Sequence, residues 1–335
     1  MTDILLAIES SCDDASAALV DCDRQCLLDS RVHSQTMHAP FGGVVPELAS
    51  RDHLKQVPRL ICEVLQSQAL NWQDIGKVAV TNRPGLIGSL LMGLMAAKTI
   101  AMACRVPLVA VNHLHAHIFS GFWQRKVAFP FLGVVVSGGH SDLFLVQDYV
   151  TITRKGQTMD DAAGEIIDKI AKELGLGYPG GPAVERQAAL HRGDPFPLPV
   201  PMRHKPGYNL SFSGLKTAAY LLIKRLRREG GLQAGQVHTL CFSLLDAIGK
   251  SIVAKIKRAC RDLGLVRVVC GGGVMRNAQL RAFLAQELEQ AGIELHLPPK
   301  KWCTDNAAMV AYLGMVRAQK GLFADAALNA YPAYE

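Results

Sequence analysis

One pattern occurs twice and restricts the fold more than any other feature of the chain. A β-like apolar run over 4–8 leads into the polar turn Glu9-Ser10-Ser11-Cys12-Asp13-Asp14, and a second run returns over 17–20. Roughly 127 residues later, a run over 131–136 leads into Ser137-Gly138-Gly139-His140-Ser141 and returns over 142–147. Short apolar runs bounded by turn-forming residues read as strands, and an immediate return strand makes an antiparallel hairpin. Residues 25–32 add a third strand to the first hairpin. Strands over 77–81, 107–111, 266–270 and 293–297 alternate with helices over 53–68, 86–104, 113–122, 160–174, 277–290 and 304–320. Pro58 limits how early the 53–68 helix begins, and Asn112 suits the cap of the 113–122 helix. A duplicated hairpin with alternating strands and helices predicts two α/β domains with a ligand cleft between them. The expected boundaries are 1–120, with the last helix 305–325 packing back on it, and 121–304, carrying a basic helical insertion at about 201–262.

Charge adds a candidate partner. Residues 201–262 hold twelve Lys and Arg against three acids, a surplus of nine in a chain whose net charge is +7. The rest of the chain therefore sums to −2. Such a block suits a polyanion such as nucleic acid, or forms solvated helix faces. The longest apolar stretch, 85–97, stops at Lys98, short of the roughly 20 residues that span a bilayer. No export signal is visible at the start, and nine Cys without a CxxC pair read as free thiols. A cytoplasmic protein with no membrane association is the expectation.

The chemistry-bearing residues lie in the turns. His113-Leu114-His115-Ala116-His117 puts His113 and His117 four apart on one helix face, a spacing that clamps a divalent metal. Leu114 occupies the slot where the zinc-protease signature has its glutamate. A hard third ligand is expected, and the best candidate is Asp305, at the start of the last helix, where an acid also serves as a cap. Ser137-Gly138-Gly139 and Gly271-Gly272-Gly273 end strands with small residues that let backbone approach an anion. Asp160, Asp161, Glu165 and Asp168 form either a solvated acidic face or a ribose or Mg²⁺ contact. In the first turn, Ser10 to Asp14, a carboxylate such as Asp13 orients a nucleophile, holds a metal or only closes a turn.

These motifs, taken in order, resemble the TsaD family (also called Gcp or YgjD) of bacterial tRNA adenosine threonylcarbamoyltransferases. The similarity runs from Ile4 to about Gly314. It rests on Ile8-Glu9-Ser10-Ser11-Cys12-Asp13-Asp14, Gly42-Gly43-Val44-Val45-Pro46-Glu47-Leu48-Ala49-Ser50-Arg51 and Pro84-Gly85-Leu86. It continues through Asn112-His113-Leu114 to His117, Val136-Ser137-Gly138-Gly139-His140, Asp160-Asp161-Ala162-Ala163-Gly164-Glu165 and Tyr178-Pro179-Gly180-Gly181-Pro182. Ser211-Phe212-Ser213-Gly214-Leu215-Lys216-Thr217 and Cys303-Thr304-Asp305-Asn306-Ala307-Ala308-Met309 complete it. Arg83 stands where the family often has a small residue, Asp14 where Glu is common, and Glu185 where Asp is common.

The resemblance implies the actin/Hsp70/sugar-kinase (ASKHA) fold, with two duplicated RNase H-like subdomains. It implies transfer of a threonylcarbamoyl group from threonylcarbamoyl-AMP to N6 of adenosine 37, forming t6A in tRNAs that read codons beginning with A. It implies one metal ion per subunit, Fe (Fe²⁺ or Fe³⁺) or Zn²⁺, held by His113, His117 and Asp305, with His115 off the metal. Donor contacts are implied at Val135, Val136, Ser137, Gly138, Gly139, Asp168, Gly181, Glu185 and Asn277. Asp13 is the residue expected to orient or deprotonate the amine. Implied partners are tRNA through its anticodon loop, a TsaB-like paralogue, a TsaE-like ATPase and a TsaC-like synthase that supplies the donor. The competing readings are a non-catalytic nucleotide-binding scaffold of an RNA-bound assembly, a metalloprotease and, within the same fold, a sugar or acetate kinase.

Overall fold

Strand β1 (Ile4–Glu9) is buried along its whole length, which is why five apolar residues precede its single acid. The computed structural model describes residues 3–334. β1 pairs antiparallel with β2 (Asp14–Asp21), Glu9 opposite Ser16, and β2 pairs antiparallel with β3 (Cys26–Ser34). On its other side β1 pairs parallel with β4 (Ile75–Arg83), which pairs parallel with β5 (Leu108–Asn112). The sheet order is β3-β2-β1-β4-β5.

Helix α1 (Pro46–Ser67) begins seven residues before the sequence expectation and runs through Pro58. A proline inside a helix costs roughly 3 kcal/mol. Burial of Val57, Leu60, Ile61, Val64 and Leu65 along one face contributes about 1.5–3 kcal/mol each and outweighs it. α1 packs on β2 and on α2 (Ile87–Cys104). β5 then feeds directly into α3 (His113–Phe119).

A second sheet repeats the first. β6 (Phe131–Val136) pairs antiparallel with β7 (Ser141–Val146), and β7 with β8 (Ile152–Gly156). β6 pairs parallel with β9 (Arg267–Gly271), and β9 with β10 (Glu294–His296). The order β8-β7-β6-β9-β10 matches β3-β2-β1-β4-β5 strand for strand and direction for direction. The duplication visible in two hairpins therefore extends over two five-stranded sheets. The edge strand β8 escaped the sequence reading because Arg154 and Lys155 interrupt it.

Helices α4 (Ala163–Glu173), α5 (Gly180–Ala188), α6 (Ser213–Arg228), α7 (Ala234–Leu263) and α8 (Ala278–Glu289) belong with the second sheet. The basic stretch proves to be two of these helices preceded by a non-helical segment over 203–212. Leu215, Ile223, Leu244, Ile248 and Ile252 share one core with Leu132 and Val134 of β6. Those helices are therefore built into the core, and their cations cover only the outer faces. Finally α9 (Ala307–Gln319), buried on nearly all sides, packs on β1, β2 and α3. By contact the chain forms two units, Met1–Lys126 with Thr304–Glu335, and Val127–Cys303.

α2 and α7 are each long and apolar enough to cross a membrane by length and composition alone. In this fold both are core helices of their own units. α7 contributes Leu240, Leu244, Leu245, Ile248, Ile252 and Ile256 to one core, and α2 contributes Leu90, Leu94 and Ala97 to the other.

Candidate active site

In the first unit the site starts from a cap. The Asn112 side-chain oxygen accepts hydrogen bonds from the Leu114 and His115 backbone N–H groups at 2.9 and 3.2 Å, which fixes where α3 begins. His113 and His117 then fall on one buried face, with ring centroids 4.6 Å apart. His115 turns elsewhere, its Nε2 2.9 Å from the Tyr334 hydroxyl, and burial drives its basicity down to about 3.

Asp305 completes the cluster because another residue does the capping. Asn306 is the N-cap of α9 and accepts from Met309 N–H at 3.0 Å. The Asp305 carboxylate is left to face the imidazoles, with Oδ1 3.0 Å from His117 Nε2 and 3.7 Å from His113 Nε2. One donor atom from each of the three residues lies within 4.8 Å of the others.

Behind His113 stands Glu9, the wholly buried acid at the end of β1. Its Oε2 lies 3.1 Å from His113 Nδ1, and Ser11 Oγ lies 3.0 Å from the same nitrogen. Glu9 also accepts from Ser11 N–H at 2.6 Å and Thr81 Oγ1 at 2.5 Å. Burial works against the charged forms of both Glu9 and His113. Their mutual attraction outweighs it, holding the carboxyl below its ordinary range and the imidazole above. A carboxylate facing Nδ1 turns Nε2 toward the cluster, as in carboxylate–histidine–metal arrangements. Burial lowers the His117 basicity and keeps that ring neutral, the form that ligates. Two imidazole nitrogens and a carboxylate oxygen at this spacing are consistent with a metal site for a borderline transition-metal ion. The sequence reading did not single out Glu9. A lone acid closing a wholly apolar strand was the available signal.

Asp13 lies half-buried in the turn between β1 and β2. Its neighbour Asp14 opens β2, and burial, followed by the Asp305 charge, raises that carboxyl to about 7. Arg83 stacks its guanidinium over the Tyr331 ring, 4.3 Å from the centroid. The bulkier side chain at this position thus has a seat of its own on the C-terminal segment.

In the second unit, Val135 and Val136 are fully buried strand residues, paired with Asp142 and Ser141 of β7. After them, Ser137 closes the turn by donating its N–H to His140 O at 2.8 Å, and the Ser137 hydroxyl accepts His140 N–H at 3.2 Å. Gly138, Gly139 and Gly181 have nothing within 4 Å of where a Cβ would stand. Gly164 N–H of α4 donates to Ser137 O at 3.2 Å. Farther along α4, Asp168 Oδ1 accepts from Gly180 N–H at 2.7 Å and sets the start of α5. From α5, Glu185 Oε1 accepts from Ala278 N–H at 2.8 Å, while Asn277 caps α8 through Leu280 N–H at 2.9 Å. Hydrogen bonds thus link the Ser137–Gly139 turn to α4, α4 to α5, and α5 to α8.

The acidic pair before α4 has partners within the protein. Asp160 accepts from Ser211 Oγ, Phe212 N–H, and both the N–H and Oγ of Ser213, at 2.5 to 3.2 Å, and so fixes the start of α6. Asp161 pairs with Lys169 and Lys216.

Most cations of the basic stretch also have internal partners. Lys216, Arg225, Arg227, Lys250, Lys257 and Arg261 pair with acids. Lys255 is buried and donates to the Lys205 and Gly207 carbonyls at 2.8 and 3.0 Å, and Arg258 also donates to the Lys205 carbonyl. The electrostatic footprint is smaller than the sequence count suggests.

Comparison with known proteins agrees with this organisation. A family model described as TsaD, tRNA N6-adenosine threonylcarbamoyltransferase, matches residues 26–312. A protein of that description from Geobacter sulfurreducens is 45% identical over 331 residues, covering 97% of this chain and 96% of its own. One from Anaplasma phagocytophilum is 40% identical, covering 96% and 94%. Among solved structures, component A of the Acidaminococcus fermentans (R)-2-hydroxyglutaryl-CoA dehydratase superposes with a TM-score of 0.55 at 15% identity, over 95% of this chain and 100% of its own. T. kodakarensis HypF superposes at 0.62 and 14% identity, over 95% of this chain and 48% of its own. These two distant likenesses carry the fold alone, the ASKHA architecture of paired mixed sheets.

Proposed function

Because the chain belongs to the TsaD family and is a tRNA N6-adenosine threonylcarbamoyltransferase, we propose how its residues divide the reaction it performs. It transfers a threonylcarbamoyl group to N6 of adenosine 37 in tRNA, forming t6A. The donor is threonylcarbamoyl-AMP, a mixed carbamic–phosphoric anhydride. The N6 nitrogen attacks the carbamoyl carbon, the bond from that carbon to the phosphate oxygen breaks, and AMP leaves with the bonding pair. The amine is a weak nucleophile because its lone pair is delocalised into the purine, so positioning and charge stabilisation carry the catalysis.

His113, His117 and Asp305 would hold one metal ion, Fe or Zn, with Glu9 orienting His113. Bound there, the ion would supply Lewis-acid charge stabilisation. Asp13 orients the amine and accepts the proton it loses. The backbone of Val135, Val136, Ser137, Gly138, Gly139 and Gly181 cradles the adenylate, because nothing occupies the space beside these glycines. Asp168 and Asn277 fix the helix starts around it, and Glu185 contacts the ribose. Adenosine 37 lies in a single-stranded loop, where a base splays outward at modest cost. Tyr220, Lys224 and Arg228, on the outer face of α6, contact the tRNA backbone. A TsaB-like paralogue covers the exposed apolar stripe Ile87, Met95 and Met102 of α2. A TsaE-like ATPase and a TsaC-like synthase work with the chain in the cytoplasm.

The observation that carries this reading is the convergence of His117 and Asp305, 188 residues apart, with His113 into one donor set. The test is mass spectrometry of nucleosides from unmodified tRNA incubated with donor, partners and this chain. Asp13→Asn and His117→Ala chains run beside it. Threonylcarbamoyl-adenosine that forms equally fast with either variant would overturn the assigned roles.

A further inference from the structure

We propose that Gln35, His38 and His53 form a one-way hydrogen-bond relay that positions the turn carrying Asp13 for threonylcarbamoyl transfer. The inference rests on the reading of that turn as part of the active site.

All three side chains are buried, although their neighbours Thr36, Met37, Ala39, Pro40 and Phe41 are exposed. His38 Nε2 lies 2.7 Å from Gln35 Oε1. Gln35 Nε2 lies 3.1 Å from Ala49 O and 3.4 Å from His53 Nδ1. His53 Nε2 lies 2.8 Å from the carbonyl oxygen of Cys12. At the other end, the Val45 backbone N–H donates to His38 Nδ1 at 3.3 Å.

The chemistry of the groups fixes every proton. A carbonyl oxygen only accepts, so His53 carries its proton on Nε2 and donates to Cys12. Its Nδ1 is then a lone pair and accepts from the Gln35 amide. Gln35 Oε1 likewise only accepts, so His38 also carries its proton on Nε2, and its Nδ1 accepts from Val45. All four links agree with two neutral imidazoles, and burial holds His53 below the usual histidine range, in the neutral form. Each buried polar group on the path has its partner, so the network is stiff.

Its direction shows what it does. It starts at Val45, the N-cap residue of α1, and is braced one helical turn later at Ala49. It ends on the Cys12 carbonyl, which belongs to the peptide joining Cys12 to Asp13. Orientation of that peptide decides where the Asp13 carboxylate points. The carboxamide at position 35 accepts from one imidazole through its oxygen and donates to the next through its nitrogen, which a carboxylate cannot do. His38, Gln35 and His53 touch no reacting atom, so they are positioning residues.

Gln35→Glu tests this with almost no change of shape. The new carboxylate has no N–H, so it loses the bond to the Ala49 carbonyl and faces that oxygen with its own lone pairs. His53 either takes a second proton on Nδ1 or moves its one proton there, and in both cases the neutral chain that aims the turn is broken. With full-length protein, donor, tRNA and partners, kcat is expected to fall by roughly tenfold or more, while KM for tRNA stays within about twofold. A folded Gln35→Glu protein with unaltered kcat overturns the relay. Long-range ¹H–¹⁵N spectroscopy of the unaltered, histidine-labelled protein gives a second test that needs no variant. Nε2–H is expected at both His38 and His53, and Nδ1–H at either one overturns the proposal. Asp13→Asn separates the two layers. If it is slow while Gln35→Glu is normal, only the relay fails. If Asp13→Asn is as fast as the unaltered chain, the reading of the turn fails with it.

Discussion

Gly272 is the position where one added methyl group should do most damage. It follows β9 with φ 95° and ψ 157°, a region open to glycine and strained for other residues. A Cβ there would stand 2.3 Å from Val136 O, 2.7 Å from its carbonyl carbon and 2.9 Å from its nitrogen. These are backbone atoms of β6, held between β7 and β9, so they cannot turn aside as a flexible side chain does. Backbone strain contributes about 1–3 kcal/mol, and forcing packed neighbours apart adds about 1–3 kcal/mol. Gly272→Ala should therefore lose roughly 2–6 kcal/mol in urea unfolding followed by circular dichroism. Because Val136 leads directly into the Ser137–Gly139 turn, the surviving folded protein should also show a raised KM for the donor. Gly273→Ala is the control. It has no atom within 4 Å of its Cβ position and an ordinary φ, so its loss should stay below about 1 kcal/mol. Equal stability of the two variants would refute the steric argument.

Three further outcomes are expected. His113→Ala and His117→Ala should each cut the metal retained per chain at least tenfold in elemental analysis, because two donors hold an ion far more weakly than three; full retention by either would remove that residue from the metal site. Asp142 is buried, which raises its carboxyl to about 6 despite Arg154 at 3.8 Å. Between the unfolded value near 4 and the folded value near 6 the native state keeps a proton that the unfolded chain releases, so stability falls as pH rises through that window, by up to about 3 kcal/mol, and is level above it. Asp142→Asn should remove the slope and be the more stable form at pH 7.5, as read from urea midpoints at pH 4.5 and 7.5. Lys224→Glu combined with Arg228→Glu should weaken tRNA binding and lower the slope of log affinity against log salt by about 2. An unchanged slope would place the phosphate contacts elsewhere.

What could be read from the sequence follows from how local each signal is. The hairpins β1–β2 and β6–β7 announced themselves because strand, turn and return strand lie within a few residues of one another. The His113 and His117 pair was equally local, fixed by helical spacing and by Asn112 as the cap. Asp305 was harder. A cap and a ligand look alike in sequence, and only the hydrogen bond from Met309 to Asn306 shows which residue took the cap. How the basic stretch divides between internal pairs and outward cations was hidden for a related reason. Counting charges cannot see that Arg227 reaches Glu173 or that Lys257 reaches Glu287, each from another element. α1 was cut short because Pro58 is a strong local signal, and the apolar face that overrides it becomes decisive only when the sheet beneath is in place. The Gln35–His38–His53 network left no trace in the sequence, since hydrogen-bond direction appears only once three buried side chains meet.

The division of the first unit between the two ends of the chain sets an order of events during synthesis. A ribosome adds roughly 5–20 residues per second and releases the N-terminal part first. When His113 and His117 emerge, their third partner does not yet exist. Asp305 arrives only after the whole of Val127–Cys303 has been made, and α9, which packs on β1 and β2, arrives with it. A nascent or prematurely terminated chain thus presents two imidazoles and no carboxylate from position 305. Fragments that end before position 305 lack the full donor set, which is complete only once the whole of Val127–Cys303 has been made.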